Sequence, residues 1–241
     1  MSDRVAAMFA EWLKPHGIAL SDAQLAQFET YGRELAEWNE KMNLTAIKER
    51  EQVYVKHFYD SVSLSFFVPM AEVGCVADIG TGAGFPGIPL KIVFPHLKLV
   101  LVDSLAKRVR FLEHVVGRLG LSGVACCHAR AEDAARDPGL RDAFDLVTAR
   151  AVARLPVLAE LCLPFAAPGS RFVAMKGPDA EEEVRESARS LRELGGELVK
   201  VHRLVLPVER AERLLIEIRK KRPTPAAYPR KAGIPARQPL V

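Results

Sequence analysis

Asp78, Gly80, Gly82 and Gly84 alternate through Asp78-Ile79-Gly80-Thr81-Gly82-Ala83-Gly84, and Gly87 follows. Glycines at this spacing let a backbone turn sharply and approach a ligand closely, because no Cβ intervenes. Val76–Gly80 reads as a strand ahead of the turn and Ile88–Phe94 as a helix after it. Pro89 is tolerated in the first helical turn, where its missing N–H would be unpaired anyway. Such a strand–turn–helix unit holds a nucleotide cofactor at the carboxyl edge of an open sheet, and the helix dipole adds positive potential.

The loop alone leaves the cofactor open. Gly82, Gly84 and Gly87 fit the dinucleotide pattern G-x-G-x-x-G, which makes a nicotinamide-dependent reductase a direct rival. Three features favour S-adenosylmethionine. Asp78 and Gly80 extend the motif upstream to D-x-G-x-G-x-G, whereas in the dinucleotide reading the first glycine falls late. Asp103 ends the second candidate strand, where a ribose-binding carboxylate belongs in either reading, and Ala129-Arg130-Ala131-Glu132-Asp133 after the third is placed to read an adenine edge. One sheet leaves no room for a separate substrate domain. The expected cofactor residues are therefore Asp78, Gly80, Gly82, Gly84, Asp103, Ala131 and Glu132.

These residues need a sheet to align them. Candidate strands are Val76–Gly80, Leu97–Asp103, Val124–Ala129, Phe144–Arg150, Arg171–Lys176, Glu197–Leu204 and Glu212–Arg219, with amphipathic helices such as Leu105–Leu119 and Pro156–Phe165 between. The β–α alternation predicts an α/β fold with a mostly parallel, doubly wound sheet. Val208-Glu209-Arg210 is too short for a parallel crossover, so the last two strands should form an antiparallel hairpin. Upstream, Met8, Phe9, Trp12 and Leu13 share a helical face that breaks at Pro15-His16-Gly17. Ser21 and Gln24 form a capping-box pattern ahead of Leu25, Phe28, Tyr31, Leu35 and Trp38 at helical spacing. Three segments result: a helical cap over 1–70, a cofactor-binding domain over 71–220, and a basic proline-rich tail over 221–241.

The chain of 241 residues is 49% apolar, enough for a sizeable core. No apolar run is long enough to span a membrane, and no secretory signal is visible. Cys75, Cys126, Cys127 and Cys162 form no C-x-x-C pair, so no metal site is expected and reduced thiols in the cytoplasm are. The net charge is +4, yet the stretch from Arg219 onward carries seven basic residues and no acidic one. A basic tail on an acidic body points to a polyanionic partner.

Longer stretches resemble a known family. Asp78–Leu90, with Gly84-Phe85-Pro86-Gly87-Ile88-Pro89 inside it, is similar to the signature of the bacterial small-subunit rRNA guanine-N7 methyltransferases, the glucose-inhibited division protein B family. Leu101–Arg108, Phe144–Ala153, Trp38–Ala46, His57–Ser61 and Tyr228–Pro235 resemble its other blocks. Ala106 replaces a common glycine and Ile234 a common threonine. The resemblance implies a Rossmann-like class I methyltransferase fold and cofactor contacts on Gly80, Phe85, Ala131, Glu132 and Arg150. It further implies methylation of N7 of one guanine near the decoding site of 16S rRNA, within the small ribosomal subunit; a monomer is expected.

The residues fit that chemistry. N7 carries a free in-plane lone pair, so no proton must leave, and positioning with electrostatics suffices. Candidate strand four ends in Arg150, not in a carboxylate or an Asn/Asp-Pro-Pro-aromatic motif, and no activated cysteine is evident. Arg150 is the candidate catalytic residue, a cation for the cofactor or the guanine O6. His57 reads as a packed histidine, with a ligand or base as the alternative. Asn43 and Thr45 are candidates for the target pocket, or for a helix cap or turn. Lys176 and the tail residues Arg219, Lys220, Lys221, Arg222, Tyr228, Arg230 and Lys231 are candidates for RNA. A small-molecule methyltransferase and a non-catalytic cofactor sensor with an RNA arm are the remaining alternatives.

Overall fold

The computed structural model describes residues 4–150 and 153–241. Its apolar, β-branched runs pair into one seven-stranded sheet of order β3-β2-β1-β4-β5-β7-β6. The strands are β1 Cys75–Ile79, β2 Lys98–Asp103, β3 Val124–His128, β4 Phe144–Arg150, β5 Ala166–Lys176, β6 Gly196–Val205 and β7 Glu212–Lys220. β1 to β5 run parallel, while β7 pairs antiparallel with both β5 and β6. The chain order reverses between β1 and β4, so their carboxyl ends flank a crevice at the topological switch point.

The element expectations hold with one displaced boundary. β5 begins at Ala166 rather than near Arg171, because the Pro168–Gly169 pair that reads as a turn is absorbed as an irregularity against β4 between Phe144 and Leu146. The glycine-rich turn is followed by the helix Gly87–Val93, and β2 by the helix Ala106–Arg118. Leu155–Cys162 follows β4, and Glu181–Glu186 and Ala188–Leu194 carry the chain from β5 to β6.

Two apolar layers sandwich the sheet. One gathers helix α1, Arg4–Leu13, and helix α2, Asp22–Met42, with Phe9, Phe28, Tyr31 and Phe58 fully buried against Ile88, Leu101 and Phe111. Ser21 caps α2 with the capping box expected of it, and Asn43 closes the helix in the left-handed conformation. The other layer holds Leu158, Phe165, Leu191 and Ile216, and the tail residue Leu240 packs into it. No helix among the described residues is long and apolar enough to cross a membrane.

Candidate cofactor and catalytic site

The turn after β1 is held open by its glycines. Gly80, Gly82 and Gly84 have φ of 68°, 63° and 97°, a region that L side chains rarely adopt. Gly82 donates its amide to Asp103 Oδ2 at 2.9 Å, which ties the turn to the end of β2. Asp103 Oδ1 accepts from the Leu105 amide at 2.9 Å, so the carboxylate is fixed at the strand end. Gly84 turns away from this edge: a Cβ there would lie 2.7 Å from the Tyr31 hydroxyl and 2.5 Å from Ile88 Cδ1. Its freedom serves packing on the helical layer.

Asp78 is wholly buried beneath the turn. Its Oδ2 accepts from Thr81 Oγ1 at 2.6 Å and the Gly87 amide at 2.8 Å, while Oδ1 has no hydrogen-bond partner. Burial raises its carboxyl to about 6, against the opposing pull of those hydrogen bonds. The lone oxygen is a buried acceptor beside a turn built for close approach, the kind of group that a donor from a bound molecule satisfies.

A cavity of about 200 Å³ lies along the ends of β1, β2 and β3, lined by Gly80, Asp103, Ala131 and Glu132 among others. It holds the expected ribose and adenine residues together. Ala129, Val157 and Leu161 give it apolar walls, and the tail residues Gly233 and Ala236 complete the lining. A larger cavity, about 460 Å³, lies in the helical layer between Asn39, Thr45 and Tyr54 and shares no residue with the strand ends. The smaller one sits where open α/β sheets bind nucleotides, and position outweighs volume here.

Arg150 and Phe85 do not line that cavity. They form a second cluster beside it, at the end of β4. The Arg150 guanidinium lies 4.9 Å from the Phe85 ring centroid. It donates to the Lys56 carbonyl at 3.1 Å, Asp60 Oδ2 at 3.3 Å and His57 Nδ1 at 3.3 Å. His57 stacks on Phe85 at 4.5 Å and 15°, with Nε2 2.8 Å from Thr45 Oγ1. Because arginine only donates, Nδ1 accepts and the proton belongs on Nε2. Burial, and then the Arg150 charge, pull His57 down to about 3. A π-helical turn, Tyr54–Tyr59, presents His57 between two short helical pieces. Ala151 and Val152, part of the expected strand-four block, lie outside the described residues.

Several sequence expectations need revising. His57 is more than a packed histidine, since it bridges Arg150 and Thr45. Of the two readings of Asn43, the helix cap is the one seen. Lys176 lies 2.5 Å from the Ala153 carbonyl and 2.8 Å from Glu183, so its charge is matched internally rather than offered to a phosphate. Lys220 is fully buried on Asp142, Thr224 and the Leu163 carbonyl and is not an RNA contact. Tyr228 donates to Glu193 at 2.7 Å, Arg222 to the Arg192 carbonyl at 2.6 Å, and Lys221 pairs with Glu197 at 3.0 Å. Arg230 clamps buried Glu160 with its backbone amide at 2.7 Å and its guanidinium at 2.6 Å. Arg219 is half-buried and Lys231 exposed. The tail is an ordered strap. Asp60 was not anticipated, as it stands 90 residues along the chain from Arg150, the cation it pairs with.

Comparison with known proteins agrees with this geometry. Residues 24–214 match the family model described as rRNA small subunit methyltransferase G. The ribosomal RNA small subunit methyltransferase G of Geobacillus thermodenitrificans is 54% identical over 235 residues, covering 98% of this chain and 99% of the relative. Its namesake from Halalkalibacterium halodurans is 55% identical, covering 96% and 98%. Among solved structures, the O-methyltransferase from Bacillus cereus in complex with SAH overlays with a TM-score of 0.58 at 16% identity, covering 79% of this chain and 90% of that one. That likeness concerns the fold, a Rossmann-like methyltransferase sheet ending in an antiparallel hairpin. The chain belongs to the rRNA small subunit methyltransferase G family and is an S-adenosylmethionine-dependent methyltransferase.

Proposed function

We propose that the chain methylates N7 of one guanine of 16S rRNA in the small ribosomal subunit, acting as a cytoplasmic monomer. The observation that carries this reading is the register of Gly80, Asp103 and Glu132 at three successive strand ends around one cavity, beside the unpartnered Asp78 Oδ1. When bound, S-adenosylmethionine supplies a methyl group activated by a sulfonium. In this reading Asp103 faces the ribose, Glu132 and Ala131 the adenine, and Asp78 Oδ1 takes a donor from the amino-acid end. Phe85 and Arg150 border the reacting end.

The chemistry asks little of a base. Guanine N7 is a ready nucleophile, and the neutral His57 has both ring nitrogens engaged. The task of the residues is to hold the lone pair in line and to exclude water. In this reading Arg150 meets guanine O6 alone, since a bidentate O6/N7 contact would block the reacting atom. Thr45 accepts from the Ile47 amide and from His57, which leaves its own hydroxyl proton to donate. Lys231 and Arg237, both exposed, and the half-buried Arg219 are offered to phosphates in this reading. Incubation with labelled S-adenosylmethionine and small-subunit RNA tests the reading, with mass mapping of the methyl. Label at guanine N7 is expected; transfer only to small molecules, or to another base atom, would refute it.

A further inference from the structure

The basic tail meets the wall of the proposed cofactor cavity. Gly233 donates its amide to Glu132 Oε1 at 2.8 Å, and Gly233 and Ala236 line the cavity opposite the strand ends. Glu132 is itself 7% exposed. Gly233 has φ of 81°, so the turn that delivers its amide is one a side chain would strain. The segment is anchored on both sides. Upstream, Arg230 closes on Glu160, which is 1% exposed, through three donors of one residue. Downstream, Leu240 is 7% exposed in the apolar layer, and Arg230 also donates to the Gln238 carbonyl at 2.7 Å. These contacts fix the tail on buried partners, Glu132, Glu160 and the apolar layer, so it is held in place rather than left as a free arm.

We propose that residues 230–238 form the base-side wall of the cofactor site, with Gly233 orienting Glu132 and Ala236 closing the slot over the adenine. The assignment to the adenine side follows from strand order. Adjacent strands lie about 4.8 Å apart, so β1 to β3 spans about 10 Å, roughly the length of a nucleoside. Ribose at Asp103 on β2 then puts the base beyond β3, beside Glu132 and the tail. With Oε1 occupied by Gly233, Oε2 remains as the acceptor for an exocyclic amine. The small side chain of Ala236 and the apolar Val157 and Leu161 suit a flat ring. Arg230, Gly233 and Glu160 are positioning residues here.

The inference rests on placing the cofactor in this cavity, and its test separates the two. S-adenosylhomocysteine binding is measured by calorimetry for the full chain, for a chain ending at Ala232, and for Asp103→Ala, each checked for folding by thermal unfolding without ligand. Hydrogen exchange over 230–238 is followed in the full chain with and without saturating ligand. Truncation should weaken binding by at least about tenfold, and ligand should slow tail exchange by a similar factor. An unchanged Kd in a folded truncated chain overturns the tail's role, as does unchanged exchange in the full chain. Full affinity in Asp103→Ala instead overturns the placement of the cofactor. Exchange in the full chain decides the matter if the truncated chain does not fold.

Discussion

Asp78 and His57 carry opposite pH signatures within one site. His57 is lowered from 6.5 to about 3, so below 6.5 the unfolded chain takes a proton that the native chain refuses. Its contribution to stability is whole above 6.5 and is lost as pH falls toward about 3. Asp78 is raised from 3.8 to about 6, so the native chain holds a proton that the unfolded chain has released. That contribution is whole below 3.8 and is lost as pH rises through about 6. The two slopes oppose each other between about 4 and about 6. Asp78→Asn keeps an acceptor for Thr81 and Gly87 and removes the titration. Its unfolding midpoint should climb more steeply with pH over that window than that of the unaltered chain, as scanning calorimetry would read. The same change puts an amide N–H where Oδ1 stands, so S-adenosylmethionine binding should weaken by about tenfold or more. A pH-independent midpoint difference would remove the titration argument, and full affinity would remove the contact.

At the scale of elements, the periodicities of strand and helix were legible because each is a local property. β1 to β4, the hairpin β6–β7 and the capping box at Ser21 need only neighbouring residues to declare themselves. The start of β5 was not legible, since Pro168 and Gly169 take an irregular strand path only because β4 lies beside them. The path of the tail was not legible for a related reason. Its charges are visible in the chain, but the carboxylates that bind Arg230 and Lys220, Glu160 and Asp142, sit 70 and 78 residues away from them. The partners of His57 were equally hidden, because they come from the loop after α2 and from β4. The buried pair Arg230–Glu160 yields an element-scale prediction. Arg230→Ala leaves a carboxylate 1% exposed without its cation and should cost roughly 3 kcal/mol in urea unfolding. Replacing both partners, Arg230→Met with Glu160→Leu, should restore most of that loss; failure to restore it would mean that the strap's backbone path depends on the charges themselves.

For the whole molecule, burial has redistributed charge that looks segregated in the sequence. Of the seven basic residues from Arg219 onward, Lys220 and Arg230 are matched by Asp142 and the buried Glu160, Lys221 pairs with Glu197 at the surface, and Arg222 donates to a neutral helix-end carbonyl and keeps its charge. The electrostatic footprint for RNA is therefore smaller than the tail's composition suggests, and removing the tail disturbs the apolar layer that holds Leu240 as much as any RNA contact. Single substitutions separate the two effects. Lys231 is exposed, so Lys231→Ala should weaken RNA binding evenly across sequences and reduce the slope of log affinity against log salt by about 0.7 to 1. Lys220 is buried, so Lys220→Met should lower the unfolding midpoint while leaving that slope unchanged. Filter binding at several salt concentrations reads both slopes. An unaltered slope in Lys231→Ala would move the RNA footprint off the strap and onto other surfaces of the molecule. A reduced slope in Lys220→Met would require the end of β7 to open when RNA binds.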